Sequence, residues 1–190
     1  IPDAMPNLTQ FCLMGYRQDW LDNLGLEVPK TLEEFTEVMK AFTFDDPDGN
    51  GVDDTYGYIG ITGTPDWGFS PIFGAFGTCP GIWYAKADGT VTRGELEPGT
   101  KEALKYIKSL YDMGVIDPEW MTIDFEGAKN KMVSGTAGCS WQNWGSILQD
   151  NGWWSTVTES APEAGFAVAG GIEGENGQIG TMQFNPLAGV

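Results

Sequence analysis

The 190-residue sequence predicts an α/β domain, and three observations predict it. Two segments, from Thr31 and from about Thr100, carry apolar residues at helical spacing between clear start and stop signals. Short β-rich runs, among them FCLMGY, TYGYIGITG, TAGCSW and GFAVAG, interleave with them, the pattern of a sheet covered by helices. The chain is 41% hydrophobic and 13% aromatic, enough to bury a core and too apolar for a disordered polymer.

Residues 1–10 hold two prolines and read as an irregular lead-in; 11–190 read as one lobe. FCLMGY (11–16) is a strand. In RQDWLDNLG, Asp19 is expected to cap a short helix with Trp20, Leu21 and Leu24 on its apolar side and Gly25 as its stop. Thr31 and Glu34 form a capping-box pattern, followed by Leu32, Phe35, Val38, Met39 and Phe42 on one stripe. TYGYIGITG (55–63) is a strand, and 64–81, with three prolines, reads as a long loop. IWYAKADGTVTR (82–93) is a hairpin turning at Asp88-Gly89. A helix from about 100 to 113 should bury Ala103, Leu104, Ile107, Leu110 and Tyr111 and end at Gly114. Another, about 124–134, turns Phe125, Ala128, Met132 and Val133 inward and ends at Gly135. TAGCSW (136–141) is a strand that delivers Trp141, 144–150 a short helix, GFAVAG (165–170) a strand and GIEGENGQIG a glycine-rich turn.

Ten basic residues stand against 27 acidic ones, a net charge of −17. That field repels phosphate backbones and anionic lipid, so nucleic acid and membrane surfaces are poor partners. There is no histidine, which excludes Ser-His-Asp and Cys-His catalysts and the usual zinc ligand. Cys12, Cys79 and Cys139 are too few and too scattered for a disulfide framework; buried thiols are expected, with a Cys79–Cys139 bridge left open. No apolar run approaches the roughly 20 residues needed to span a bilayer. No signal peptide opens the chain and both ends look cut, as in a fragment of something longer.

DDPDGNGVDDTYG (45–57) crowds five aspartates into thirteen positions. The calcium pattern D-x-[DN]-x-[DN]-G places Asp46, Asp48 and Asn50 at alternate positions, Gly51 at the sharp turn, the Val52 carbonyl next and Asp54 after it. Alternate residues point inward, so hard oxygens converge at about 2.3–2.6 Å from one centre. Where an EF-hand has a bidentate glutamate this loop has Gly57, and a strand follows in place of a helix. An abbreviated helix–loop–strand site for a structural Ca2+ is therefore expected, closed by Asp54 and by Asp53 or the Thr55 hydroxyl. The competing reading is a solvated acidic turn, since Asp-Gly and Asn-Gly pairs form turns without a metal.

GYRQDWLDNLGLEVPKTLEEFTEVMKAF, DPDGNGVDDTYG and ALKYIKSLYDMGVIDPEW, in this order and spacing, resemble extracellular solute-binding proteins of ABC transporters, in the branch that captures oligosaccharides. The resemblance covers roughly 11–145. It implies one lobe of a periplasmic-binding-protein-like (type II) two-lobed fold, mainly the second lobe, entered near FCLMGYRQDW. It further implies a monomeric protein held outside a Gram-positive cell by a lipid on the full-length chain, passing its solute to membrane permease subunits. Some members of this branch hold calcium in the matching loop, where Thr55 replaces a frequent glutamate.

Sugars offer apolar C–H faces for aromatic stacking and hydroxyl rims for amides and carboxylates. WQNW supplies Trp141, Gln142, Asn143 and Trp144; TPDWGFS supplies Asp66 and Trp67; IWY supplies Trp83 and Tyr84. Trp20 reads as core, and of adjacent Trp153 and Trp154 at most one should point inward. Arg17 either lines the cleft or pairs with a carboxylate. The expected function is non-catalytic capture of an oligosaccharide. A glycoside hydrolase is the alternative, but no second carboxylate accompanies Asp66 near the tryptophans. A calcium-dependent interaction module would need a duplicated loop, and one is present.

Overall fold

A computed structural model describes residues 12–63, 68–85, 88–143 and 152–174. Strand β1 (Cys12–Arg17) runs straight into helix α1 (Gln18–Leu24). Asp19 does not cap α1: Arg17 occupies the cap position without a side-chain cap bond, and the Asp19 carboxylate instead takes the Arg17 guanidinium, Nε at 2.8 Å and Nη2 at 2.5 Å. Gly25 ends the helix in the left-handed region (φ 67°), as its lack of a Cβ allows.

Helix α2 (Leu32–Phe44) has both halves of its capping box: Glu34 N–H donates to Thr31 Oγ1 at 3.2 Å and Thr31 N–H to Glu34 Oε2 at 3.3 Å. Strand β2 (Tyr56–Ile59) follows the acidic loop. The stretch expected to be all loop contains α3 (Ser70–Ala75), whose Pro71 sits in the first turn, where a missing N–H costs nothing. Strands β3 (Trp83–Ala85) and β4 (Val91–Arg93) make the hairpin, and a 3-10 turn at Gly94–Leu96 leads to α4 (Pro98–Asp112). Then come α5 (Phe125–Val133), capped by the Asp124 carboxylate, β5 (Ala137–Asn143), α6 (Trp153–Ser160) and β6 (Phe166–Ala169). The expected helix at 144–150 lies outside the described residues.

The main sheet has the order β2-β5-β1-β6. β2 and β5 run parallel, while β1 is antiparallel to both β5 and β6. A short parallel bridge, Tyr58 to Ile116, extends the sheet beside β2. Helices α1 to α4 cover one face, joining Trp20, Phe35, Met39, Phe42, Phe73 and Leu110 to Tyr16, Tyr58 and Trp141 of the sheet. Helices α5 and α6 cover the other, where Ala128, Met132 and Trp153 pack on Ile59 and Ala137. Successive residues Tyr58 and Ile59 thus feed opposite cores, the period-two signature of a strand buried on both sides.

Gly138 makes the close approach possible: a Cβ there would stand 2.3 Å from Phe42 Cδ2 and 2.6 Å from Trp20 Cε3. With none, the Trp20 and Phe42 rings meet edge to face at 5.3 Å directly on β5.

Two side-chain expectations change, on α4 and on α5, where Phe125 is 36% exposed rather than turned inward. Leu104 and Tyr111 are 44% and 40% exposed, because α4 buries the narrower stripe Ala103, Ile107, Leu110; the two outer residues flank an open apolar cavity of about 240 Å³ with Phe69, Trp120 and Met121. Cys79 and Cys139 form no bridge, which closes the open alternative; Cys139 is buried as expected and Cys79 is half-buried. Of the adjacent pair only Trp153 is fully buried, as expected; Trp154 is half-buried and stacks flat on Phe166 at 5.0 Å. Among the described residues no helix is long and apolar enough to cross a membrane.

Candidate functional site

The strand directions define two ends of the sheet. β2 and β5 point their carboxyl ends the same way, and in α/β sheets the loops leaving that end form the ligand crevice. Residues 60–63 leave β2 there, and Gln142 and Asn143 close β5 there. The β2 exit is held by Thr62, whose N–H and hydroxyl both donate to the Ile123 carbonyl at 2.9 and 2.7 Å. The Tyr58 hydroxyl donates to the Gly68 carbonyl at 2.5 Å.

Among the expected ligand residues whose side chains are described, Trp83 stands open, 49% exposed. Trp141 is 7% exposed and packs in the core, with Met14 opposite it on β1. Gln142 and Asn143 lie in β5, paired through their backbones with Leu13 and Cys12. Asp66, Trp67 and Trp144 lie outside the described residues.

Arg17 sits elsewhere. Cys12 lies opposite Asn143, so Arg17, five residues further along β1, is about 17 Å from that end. It is buried, paired with Asp19 and laid over the Trp20 ring at 5.0 Å. The chemistry of this arrangement is that of an ion pair locking the β1–α1 junction, the second of the two alternatives open in the sequence.

The acidic loop joins α2 to the amino end of β2, so it too is remote from the crevice end. Asp46 takes φ 50°, the only non-glycine left-handed residue among the described ones, and Gly49 (68°) and Gly51 (78°) continue the curl. Gly51 N–H donates to Asp46 Oδ2 at 3.0 Å, and Asn50 Nδ2 donates to Asp48 Oδ2 at 2.9 Å and Asp54 Oδ1 at 3.4 Å. Asn23 Nδ2 ties the loop to α1 through the Pro47 carbonyl at 2.9 Å. Val52 is exposed.

Thr55 is not available as a closing ligand: it is buried and its hydroxyl donates to the Phe42 carbonyl at 2.8 Å. Gly57 is dictated by packing, since a Cβ there would be 2.5 Å from the Met39 carbonyl oxygen; a glutamate at that position has no room. Among the described residues no three acidic, histidine or cysteine side chains converge into a metal-holding set. The Asn50 amide nitrogen bridges two carboxylates while its oxygen accepts the Val52 N–H at 2.6 Å, so turning that oxygen toward a cation would release all three contacts.

Strong electrostatic perturbation belongs to the scaffold. Burial pushes the Cys139 thiol and the Tyr16 phenol up, the latter further raised by Cys139 beside it. Burial also pushes Tyr106 up to about 12, against the opposing effect of its hydrogen bond with Thr36. All three stay neutral at ordinary pH, so none offers a ready base or nucleophile.

A sequence model of the bacterial extracellular solute-binding protein family matches residues 2–182. Lipoprotein LipO of Bacillus subtilis (strain 168) is 34% identical over 189 residues, covering 90% of this chain and 34% of LipO. The S. pneumoniae ABC-transporter substrate-binding protein FusA, solved in complex with kestose, superposes with a TM-score of 0.70 at 29% identity, over 90% of this chain and 33% of FusA. A FusA EF-hand mutant in complex with fructo-nystose gives 0.70 at 28% identity over the same shares. The chain spans about a third of the length of these relatives, and its mixed α/β architecture is shared with them. It belongs to the family of bacterial extracellular solute-binding proteins.

Proposed function

We propose that this chain is one lobe of the capture component of an ABC importer, binding an oligosaccharide without altering it. The observation that carries this reading is the family match over residues 2–182, together with an α/β scaffold whose parallel strands β2 and β5 point their carboxyl ends the same way. The exposed Trp83 would supply a stacking face and the backbone ends at Gln142–Asn143 polar groups, with Asp66, Trp67 and Trp144 as the further candidates. A second lobe closes on the solute, and the complex docks on membrane permease subunits outside the cell, where a lipid on the full-length chain anchors it. LipO, named as a lipoprotein, and FusA, solved with kestose, support this reading.

Titrating kestose into the protein and following indole fluorescence tests it. A saturable shift is expected, with no cleavage products by chromatography. Trp83→Ala should weaken binding by roughly 2- to 10-fold, the value of one aromatic contact at about 0.5–1.5 kcal/mol. Release of monosaccharide, or indifference to every member of a neutral oligosaccharide panel, sinks the reading.

The 45–57 loop is proposed to hold a structural Ca2+ through Asp46, Asp48, Asn50, the Val52 carbonyl and Asp54. The donors are all hard oxygen, the loop lies at the far end of β2 from the crevice, and the related FusA is described with an EF-hand. The ion would neutralise the crowded aspartates and tie α2 to β2. At calcium a hundredfold above its Kd the folded state should gain about 2.7 kcal/mol. Tm should rise accordingly, fall again with EDTA, and lose its calcium response in Asp46→Asn/Asp48→Asn. A Tm indifferent to both calcium and EDTA removes the assignment.

A further inference from the structure

We infer that Arg93 and Glu95 are positioning residues that hold Trp83 as a one-faced stacking platform and tune it to neutral rather than acidic saccharides. This rests on the proposed solute-binding function. Trp83 and Arg93 are direct cross-strand partners in the hairpin, as are Ala85 and Val91, so all four share one face of the two-stranded ribbon. That face is open: Trp83 is 49% and Val91 60% exposed. The Arg93 guanidinium lies over the Trp83 ring, its carbon 5.5 Å from the centroid. It is fixed there by Glu95, whose Oε1 takes Nη2 at 2.6 Å. One indole face is thereby covered by a planar cation, which limits ring rotation, and the apolar neighbours Ala85 and Val91 extend the surface sideways.

The ion pair also carries the selectivity. An unpaired arginine beside a stacking ring would capture a sugar carboxylate in bidentate fashion. Here Glu95 already occupies the guanidinium, and its own charge repels a second carboxylate. Backbone hydrogen bonds at Glu95 itself and at Gly81, with the Arg93 charge behind them, keep the Glu95 carboxyl below the usual carboxylate range, so the mask is in place at neutral pH. The platform therefore presents a ring with no net charge, matched to the C–H face of a neutral sugar.

The test titrates kestose and trigalacturonate into wild type and into Arg93→Met, Glu95→Gln, Glu95→Asp and Trp83→Phe, with indole anisotropy recorded for each. Arg93→Met should weaken kestose binding about two- to fivefold and lower the anisotropy assigned to Trp83 by difference from Trp83→Phe. Glu95→Gln should shift the kestose-to-trigalacturonate affinity ratio at least threefold toward the acidic sugar, and Glu95→Asp should restore it. All three residues are exposed, so the variants should fold with wild-type Tm. If Trp83→Ala weakens kestose while Arg93→Met and Glu95→Gln change neither affinity nor anisotropy, the positioning role is overturned and the functional reading stands. If wild type binds neither probe nor any other saccharide, the functional reading falls and this inference with it.

Discussion

Lys131→Met is expected to lower the unfolding free energy by about 3 kcal/mol, the lower end of the cost of stripping a buried charge of its partner. Lys131 Nζ on α5 lies 3.0 Å from Asp117 Oδ2 and 2.7 Å from Glu119 Oε2. Asp117 has no exposed side-chain surface, and its other oxygen accepts the Glu119 N–H at 2.9 Å. It follows the short segment that pairs with β2, so this charge contact fastens α5 to the sheet edge across the chain. Burial opposes the charge on Lys131, but its hydrogen bonds to Glu119 and Asp117 outweigh that and hold its pKa above the ordinary lysine value.

Urea unfolding should show a midpoint lower by roughly 1–2 M. Asp117→Asn in the same chain should recover at least half the loss, because the amide keeps the acceptor for Glu119 and carries no charge. The pH response has a definite sign. A lysine whose folded pKa is raised contributes fully below its unfolded value of about 10.4 and loses that contribution as pH rises through the folded value. Wild type should therefore weaken above about pH 10.5, and Lys131→Met should weaken less. A single variant as stable as wild type, or a double variant no better than the single, contradicts the account.

Gly94→Ala should be both unstable and poor at binding. A Cβ at Gly94 would lie 1.8 Å from the Cys79 carbonyl oxygen and 2.5 Å from its carbon, backbone atoms with no side-chain freedom to yield. The same glycine anchors the hairpin: its N–H donates to the Ile82 carbonyl at 2.8 Å, and its carbonyl accepts the Thr78 and Thr100 hydroxyls at 2.9 and 2.6 Å. Adding a methyl group forces these apart, costing about 1–3 kcal/mol for overpacking and about 0.5–1.5 for each bond lost. Because Ile82 leads into Trp83, the platform moves with it. Solute affinity should fall at least as far as in Trp83→Ala. Thr78→Val, which removes a hydroxyl without adding bulk, should cost about 1 kcal/mol and leave affinity near wild type. Wild-type stability and affinity in Gly94→Ala would show that the hairpin base is not held in this way.

The sequence made some elements legible because their cause is local. Thr31 and Glu34 are three residues apart, and their reciprocal bonds need no other part of the chain. Gly25, Gly114 and Gly135 end helical patterns, and each has positive φ. The order of strands and helices, and the curl of 45–51, were readable for the same reason. Pro71 misled because proline marks both a break and a helix start, and only the following turn distinguishes them.

The rest depended on partners distant in sequence. Trp141 and Trp83 look alike as tryptophans near strand ends. One faces a sheet covered by four helices, the other a two-stranded ribbon with an open side. In the sequence Thr55 reads as a cation ligand and Gly57 as a missing one, but the end of α2 takes the Thr55 hydroxyl and Met39 fills the space at Gly57. Composition, capping and alternation determined that the chain is a buried-core α/β domain with an oxygen-rich turn and no histidine chemistry. Tertiary structure alone decided which rings remain open and which charges are locked together. Exposure and pairing are properties of long-range packing, and a one-dimensional pattern does not specify which surface will come to rest against which.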